Sequence, residues 1–130
     1  MQYLLLIYSN EAEWSGQPKA YADEMIAEYG TFTQGIIQNG NYKGGERLRP
    51  VATATTVRVR DGKTLTTDGP FAETREQLGG YYLIEAKNLD EATAIAARIP
   101  SARIGSINSA RISIRVCPLD SGSADDSVFK

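Results

Sequence analysis

Hydrophobic positions along this chain recur at two spacings, every second residue in some stretches and every third or fourth in others. "QYLLLIY" (Gln2 to Tyr8) is apolar on both alternating faces, with Leu4 and Leu6 on one and Tyr3, Leu5 and Ile7 on the other. That pattern predicts a central strand covered on both sides. From about Pro18 to Asn39 the spacing changes. Tyr21, Met25, Tyr29, Phe32 and Ile36 form one helical stripe, Ile26 and Ile37 are expected to widen it, and Gly40 supplies a left-handed C-cap. "YKGGERLRP" (Tyr42 to Pro50) predicts a loop with a short edge strand. "ATTVRVR" (Ala54 to Arg60) alternates, with Thr55, Val57 and Val59 expected inward and Thr56, Arg58 and Arg60 outward. Asp61-Gly62 marks a hairpin, and "KTLTT" returns as its second strand.

"GGYYLIEA" (Gly79 to Ala86) is a second strand with two apolar faces, Tyr81 and Leu83 against Tyr82 and Ile84; the two glycines before it predict a bulge or tight packing. Asn88 caps a second helix, with Glu91 in position for a reciprocal capping pair. Ala92, Ile95, Ala96 and Ile99 form its stripe, and Pro100 ends it. "ARISIRV" (Ala110 to Val116) closes the series, with Ile112, Ile114 and Val116 inward. The polar tail "SGSADDSVFK" is expected to be disordered, so a folded domain over 1–118 and a tail over 119–130 are the expected organisation.

The order strand, helix, strands, helix, strand predicts an α+β fold of the ferredoxin-like, split βαβ kind: an antiparallel sheet with helices on one face. Its first and third core strands lie in the middle, and these are the two that read apolar on both faces. One face of the sheet then lacks a cover, and a second copy of the chain is the expected one. The expectation is a homodimer with an interface of about 1,600 Å² in total. The simpler reading is that tyrosines on that face lie half exposed, since Tyr tolerates water.

Composition narrows function mainly by exclusion. A net charge of −2 gives no basis for direct nucleic-acid binding, and no apolar run is long enough for a membrane span. The N-terminus lacks the basic region and cleavage site of a signal peptide. One cysteine, Cys117, rules out an internal disulfide and fits a reducing, cytoplasmic compartment. The chain has no histidine. Ser-His-Asp and Cys-His arrangements are therefore excluded, as are His-based zinc sites, so a general base must come from Asp, Glu, Tyr, Lys or a perturbed Cys. No cofactor or metal is expected.

The segment "TTDGPFAETREQLGG" (Thr66 to Gly80) concentrates the remaining chemistry. Asp68 ends a hairpin strand before a Gly-Pro step that restricts the backbone. Phe71 closing over it would raise its pKa toward a useful base, whereas Arg47 or Arg75 nearby would hold it charged as an anchor for a polar ligand. It is equally a residue that accepts backbone N–H groups in a turn. Glu73 and Glu76, with Arg75 between them, fall on one side of a helical turn, a pattern of acid–base work or of a solvated face. Arg47 follows two glycines that allow close approach to an anionic ligand. Tyr8, Tyr81 and Tyr82 line a cavity or belong to the core.

"TVRVRDGKTLTTDGPFAETREQLGGYYLIEA", with "GGERL" before it and "AARIPSARIGS" after it, resembles the DGPF-type proteins of the YCII-related family, over roughly Met1 to Ser106. The resemblance implies a ferredoxin-like fold, usually a dimeric α+β barrel. A His and an Asp in many relatives imply an enzymatic role, and sigma-factor fusions in others imply a link to transcription initiation. Here the His is absent, and Asp68 alone matches the acidic half. The ending "GSINSARISIRVCP" is longer than the "G-[ST]-[VI]-E-V-R-P" form and lacks an equivalent of its carboxylate. Two readings follow. One is a small-molecule enzyme with Asp68 as acid or base and Arg47, Phe71, Glu73, Arg75 and Tyr8 around an unidentified ligand. The other is a non-catalytic ligand-binding or regulatory module with a protein partner of the sigma-factor type.

Overall fold

A computed structural model describes residues 1–11, 18–69, 76–100 and 113–120. In chain order the elements are β1 (Gln2–Ser9), α1 (Lys19–Gln38), β2 (Tyr42–Arg47), a 3₁₀ turn (Val51–Thr53), β3 (Thr55–Arg60), β4 (Lys63–Asp68), β5 (Gln77–Glu85), α2 (Leu89–Ala97) and β6 (Ser113–Pro118). Strands β2, β5, β1 and β6 form one antiparallel sheet in that order, and β3 and β4 form a separate two-stranded ribbon. This is the ferredoxin-like arrangement with a hairpin inserted between its second and third strands. The strands read as apolar on both faces, β1 and β5, are the central pair.

Alternation along these strands separates two environments. Tyr3, Leu5 and Ile7 of β1 join Tyr82 and Ile84 of β5 in one buried cluster with Phe32 and Ile36 of α1 and Ala92, Ile95 and Ala96 of α2. Both helices therefore cover the same face. Leu5, Ile36, Ile84 and Ile99 are wholly buried, each contributing about 1.5–3 kcal/mol of transfer free energy. On the opposite face Leu4, Leu6, Tyr8, Tyr81 and Leu83 are only half-buried.

Local chemistry sets the element ends. Gly40 adopts φ +79° after α1 and allows Asn41 N–H to bond the Ile36 carbonyl. Asn41 then donates from Nδ2 to the Glu85 carbonyl and to Glu91 Oε1, which ties α1, β5 and α2 together. Asn88 Oδ1 accepts the Glu91 N–H, giving the expected N-cap of α2. Asp61 and Gly62 both have positive φ, 54° and 76°, as a tight hairpin turn requires.

Some expectations fail on tertiary placement. Val57 and Val59 do not face the core; they are 60% and 70% exposed because the ribbon stands apart from the main sheet. Ile26 and Ile37 do not extend the buried stripe of α1 and are also exposed. Each follows a buried residue, Met25 or Ile36, and so points about 100° away from it around the helix. Ile112 and most of the expected tail lie outside the described residues.

A candidate ligand cleft between helix and sheet

On the helix-covered face, strand register aligns Gly45, Tyr82, Leu5 and Val116 in one row, and Arg47, Gly80, Ile7 and Ile114 in the next. Two of these positions carry no side chain, and geometry explains why. A Cβ on Gly45 would lie 2.9 Å from the Tyr81 carbonyl oxygen and 2.9 Å from Cδ1 of Tyr82. On Gly80 it would lie 2.9 Å from the Glu46 carbonyl oxygen. Gly79 is skipped where the pairing of β1 with β5 shifts between Ile7 and Tyr8, so the bulge anticipated at the glycine pair is present.

Above this bare floor passes the first half of α1. Between them is a cleft of about 730 Å³, bordered by Ala22, Met25, Ile26, Tyr29 and Thr33 of the helix, by Ile7 and Tyr82 of the sheet, and by Leu48 and Pro50 at the side. That volume is in the range of small-molecule sites, as is a lining dominated by apolar groups with a few polar ones.

The polar groups have defined partners. Thr33 Oγ1 donates to the Tyr29 carbonyl at 2.8 Å. Its one proton is thereby committed, so the 2.8 Å contact with Tyr82 runs from the phenol to the threonine oxygen. Burial holds the Tyr82 phenol above its ordinary pKa; the Thr33 bond pulls it down, and the Tyr42 phenol pushes it up again. At neutral pH Tyr82 is therefore an uncharged donor. Glu11 fastens the side of the cleft. Its N–H donates to Gln77 Oε1 and its Oε1 accepts from Val51 N–H, both at 2.9 Å. These bonds pin the 3₁₀ turn after Pro50 to the ends of β1 and β5. Ser9 is a buried polar residue in the lining, and Arg47 is exposed at the rim.

Of the residues singled out from sequence, the cleft brings in Arg47 together with Tyr81 and Tyr82. Asp68 lies at the base of the ribbon, paired with Thr55, exposed and outside the lining. Its neighbour Gly69 has φ +86°, donates to the Ala54 carbonyl at 2.7 Å and accepts from Thr56 Oγ1, which fixes the strand end. Tyr8 belongs to the other face of the sheet, where the Arg115 guanidinium stands 4.9 Å from its ring centroid. Phe71, Glu73 and Arg75 lie outside the described residues. Gly45, Gly80, Thr33, Met25 and Glu11 were not anticipated as site residues. The signal was the two glycine doublets in strand segments, which mark close backbone approach.

Among the described residues there is no group of three or more His, Cys, Asp or Glu side chains able to hold a metal ion. No helix among them is long and apolar enough to cross a membrane. Compared with known proteins, residues 1–114 match the YCII-related domain. An uncharacterised protein of Rhizobium meliloti is 35% identical over 102 residues, which cover 78% of this chain and 82% of that protein.

Proposed function

The chain belongs to the YCII-related domain family, and we propose that it binds a small apolar or amphipathic molecule in the cleft between α1 and the sheet. The glycine floor carries this reading. Two positions facing the helix-covered side are closed to any side chain, so the space above them is built into the backbone. Protein purified under mild conditions is expected to release a small molecule on denaturation, read by mass spectrometry. Ala22→Trp, which fills the cleft from an exposed helix position, is expected to release none. Equal recovery from both proteins would remove the cleft as the site. So would a wild type that carries nothing and binds no member of a fragment library by NMR.

We further propose that a second copy covers the other face of the sheet. Support comes from half-buried Leu4, Leu6, Tyr81 and Leu83 on the two central strands, and from charge. Register aligns Glu46, Tyr81, Leu6 and Arg115 in a single row, with the opposite charges at opposite edges. A two-fold axis parallel to the strands would set each Glu46 near Arg115 of the second copy. Sedimentation should find dimers at micromolar concentration. Glu46→Arg and Arg115→Glu should each weaken them, and the double change should restore them. Monomers throughout would end this proposal.

Acid–base chemistry at Asp68 is a second reading, favoured by the fixed Gly69 turn that holds the end of β4. It predicts that Asp68→Asn abolishes turnover of a substrate bound at the end of the ribbon while leaving binding in the cleft intact. A non-catalytic module with a sigma-factor partner predicts the reverse emphasis: ligand recovered unaltered, and its binding coupled to a protein partner.

A further inference from the structure

We propose that the cleft selects apolar carboxylates, molecules with a flat uncharged body and one anionic end, and that Arg47 holds the anion. The inference rests on the cleft reading above and adds the shape and charge of the occupant.

Shape follows from the floor. At Gly45 and Gly80 the ligand meets bare backbone, and around it stand Ile7, Met25 and the ring of Tyr82. A flat body lies against peptide planes better than a branched one, and a charged body has nothing here to replace its water. The hydroxyl pair of Thr33 and Tyr82 is neutral and internally bonded, so the deeper end asks for no charge.

Charge follows from the rim. Register sets Arg47 in the same row as Gly80, at the outer end of the floor and on the helix-covered side. Glu46, one residue earlier, alternates to the opposite face with Tyr81. Both Glu46 and Glu11 border the cleft, but Glu46 sits in the row that alternates away from the helices, and one oxygen of Glu11 is occupied by the Val51 N–H. Among the described residues Arg47 takes part in no ion pair. A guanidinium offers a carboxylate two parallel N–H donors, a match that an alcohol or an ammonium cannot reproduce.

Three probes sharing one flat body test this by isothermal titration: naphthoate, naphthylmethanol and naphthylmethylammonium. Naphthoate is expected to bind about tenfold more tightly than the alcohol, and the ammonium more weakly still. Arg47→Gln should erase the preference for naphthoate while leaving affinity for the alcohol unchanged, and Arg47→Lys should restore part of it. A pure packing role for Arg47 would shift all three probes together and would overturn the proposal. Equal binding of the three to wild type, or tightest binding of the ammonium, would overturn anion selection and leave the cleft reading standing. Failure of all three to bind would overturn the selection of flat apolar carboxylates, and naphthoate binding that survives Ala22→Trp would overturn the cleft reading as well.

Discussion

The two halves of the interface between α1 and the sheet are built from the same elements and end in opposite states. Toward the C-terminus of α1, Phe32 and Ile36 meet Leu5, Tyr82 and Ile84, and the Phe32 and Tyr82 rings pack edge to face with centroids 5.3 Å apart. Toward its N-terminus, Met25 and Ala22 face Gly45 and Gly80 across a space that stays open. Helix and strands run continuously through both halves. What differs is whether the strand positions beneath the helix carry side chains. One sheet thus supplies a core and a cavity, the open half being marked by glycine at single positions and by the bulge at Gly79.

The largest expected effect tests that contrast directly. Ile36→Ala removes a wholly buried side chain from the filled half and should cost about 2–5 kcal/mol in urea unfolding. Met25 is nearly as buried, at 3% exposure. Its removal, however, only enlarges a cleft that already exists and that water can enter, so Met25→Ala should cost about 1–2 kcal/mol, because the penalty grows with the empty volume created. Equal costs would mean that the two halves are packed alike.

Next comes the floor. Gly80→Ala forces a methyl group to within 2.9 Å of the Glu46 carbonyl oxygen, which has to be relieved by parting β2 from β5. The expected loss is about 1–3 kcal/mol, together with ligand binding. Gly44 is the internal control. It lies across the same pair of strands, in β2 opposite Leu83 of β5; a Cβ there meets nothing within 4 Å, and its φ is not in the left-handed range. Gly44→Ala should be neutral or stabilising by up to about 1 kcal/mol. If both alanines behave alike, the floor is not set by sterics.

How far the sequence discloses this contrast can be judged at particular residues. The central placement of β1 and β5 follows from Leu4, Leu5, Leu6 and Ile7, because only a strand covered on both sides carries apolar groups on both faces. Asn88 and Gly40 announce helix ends through local chemistry that no distant contact alters. Val57 and Val59 mislead because alternation identifies a strand without saying which sheet receives it. The cleft is harder still. The doublets Gly44-Gly45 and Gly79-Gly80 signal close approach, but whether the space above them is filled depends on which turn of α1 crosses there. That is a tertiary fact. Asp68 stands out by its motif, yet the described lining omits it, whereas Arg47 owes its place at the rim to one register position opposite Gly80.

Tyr82 joins the two halves, its ring packing on Phe32 and its hydroxyl bonded to Thr33 at the cleft. Tyr82→Phe keeps the ring and should cost about 1 kcal/mol for the lost hydrogen bond. The pH dependence isolates the phenol. Its folded-state pKa is raised by burial above the unfolded value of about 10. Its contribution is therefore complete below about pH 10 and declines as pH rises past that value toward the folded one. In urea melts across that range the wild type should lose stability more steeply than Tyr82→Phe. Parallel curves would mean that the hydroxyl is solvated and that the filled half stops short of the cleft.

The smallest expected effect lies in the ribbon, which belongs to neither half. Val57 and Val59 share one of its faces with Thr64 and Thr66, with Asp68 opposite Thr55 at the end of that face, and are more than half exposed. Threonine keeps their branching at Cβ and so their fit to a pleated strand. Val57→Thr and Val59→Thr should each change stability by less than about 0.5 kcal/mol, as surface substitutions do. A cost above about 1 kcal/mol would mean that the valines are covered in solution. Its dependence on protein concentration then separates the two possible covers. A cost that vanishes on dilution identifies a second copy resting on the ribbon, and one that persists identifies a cover within the single chain.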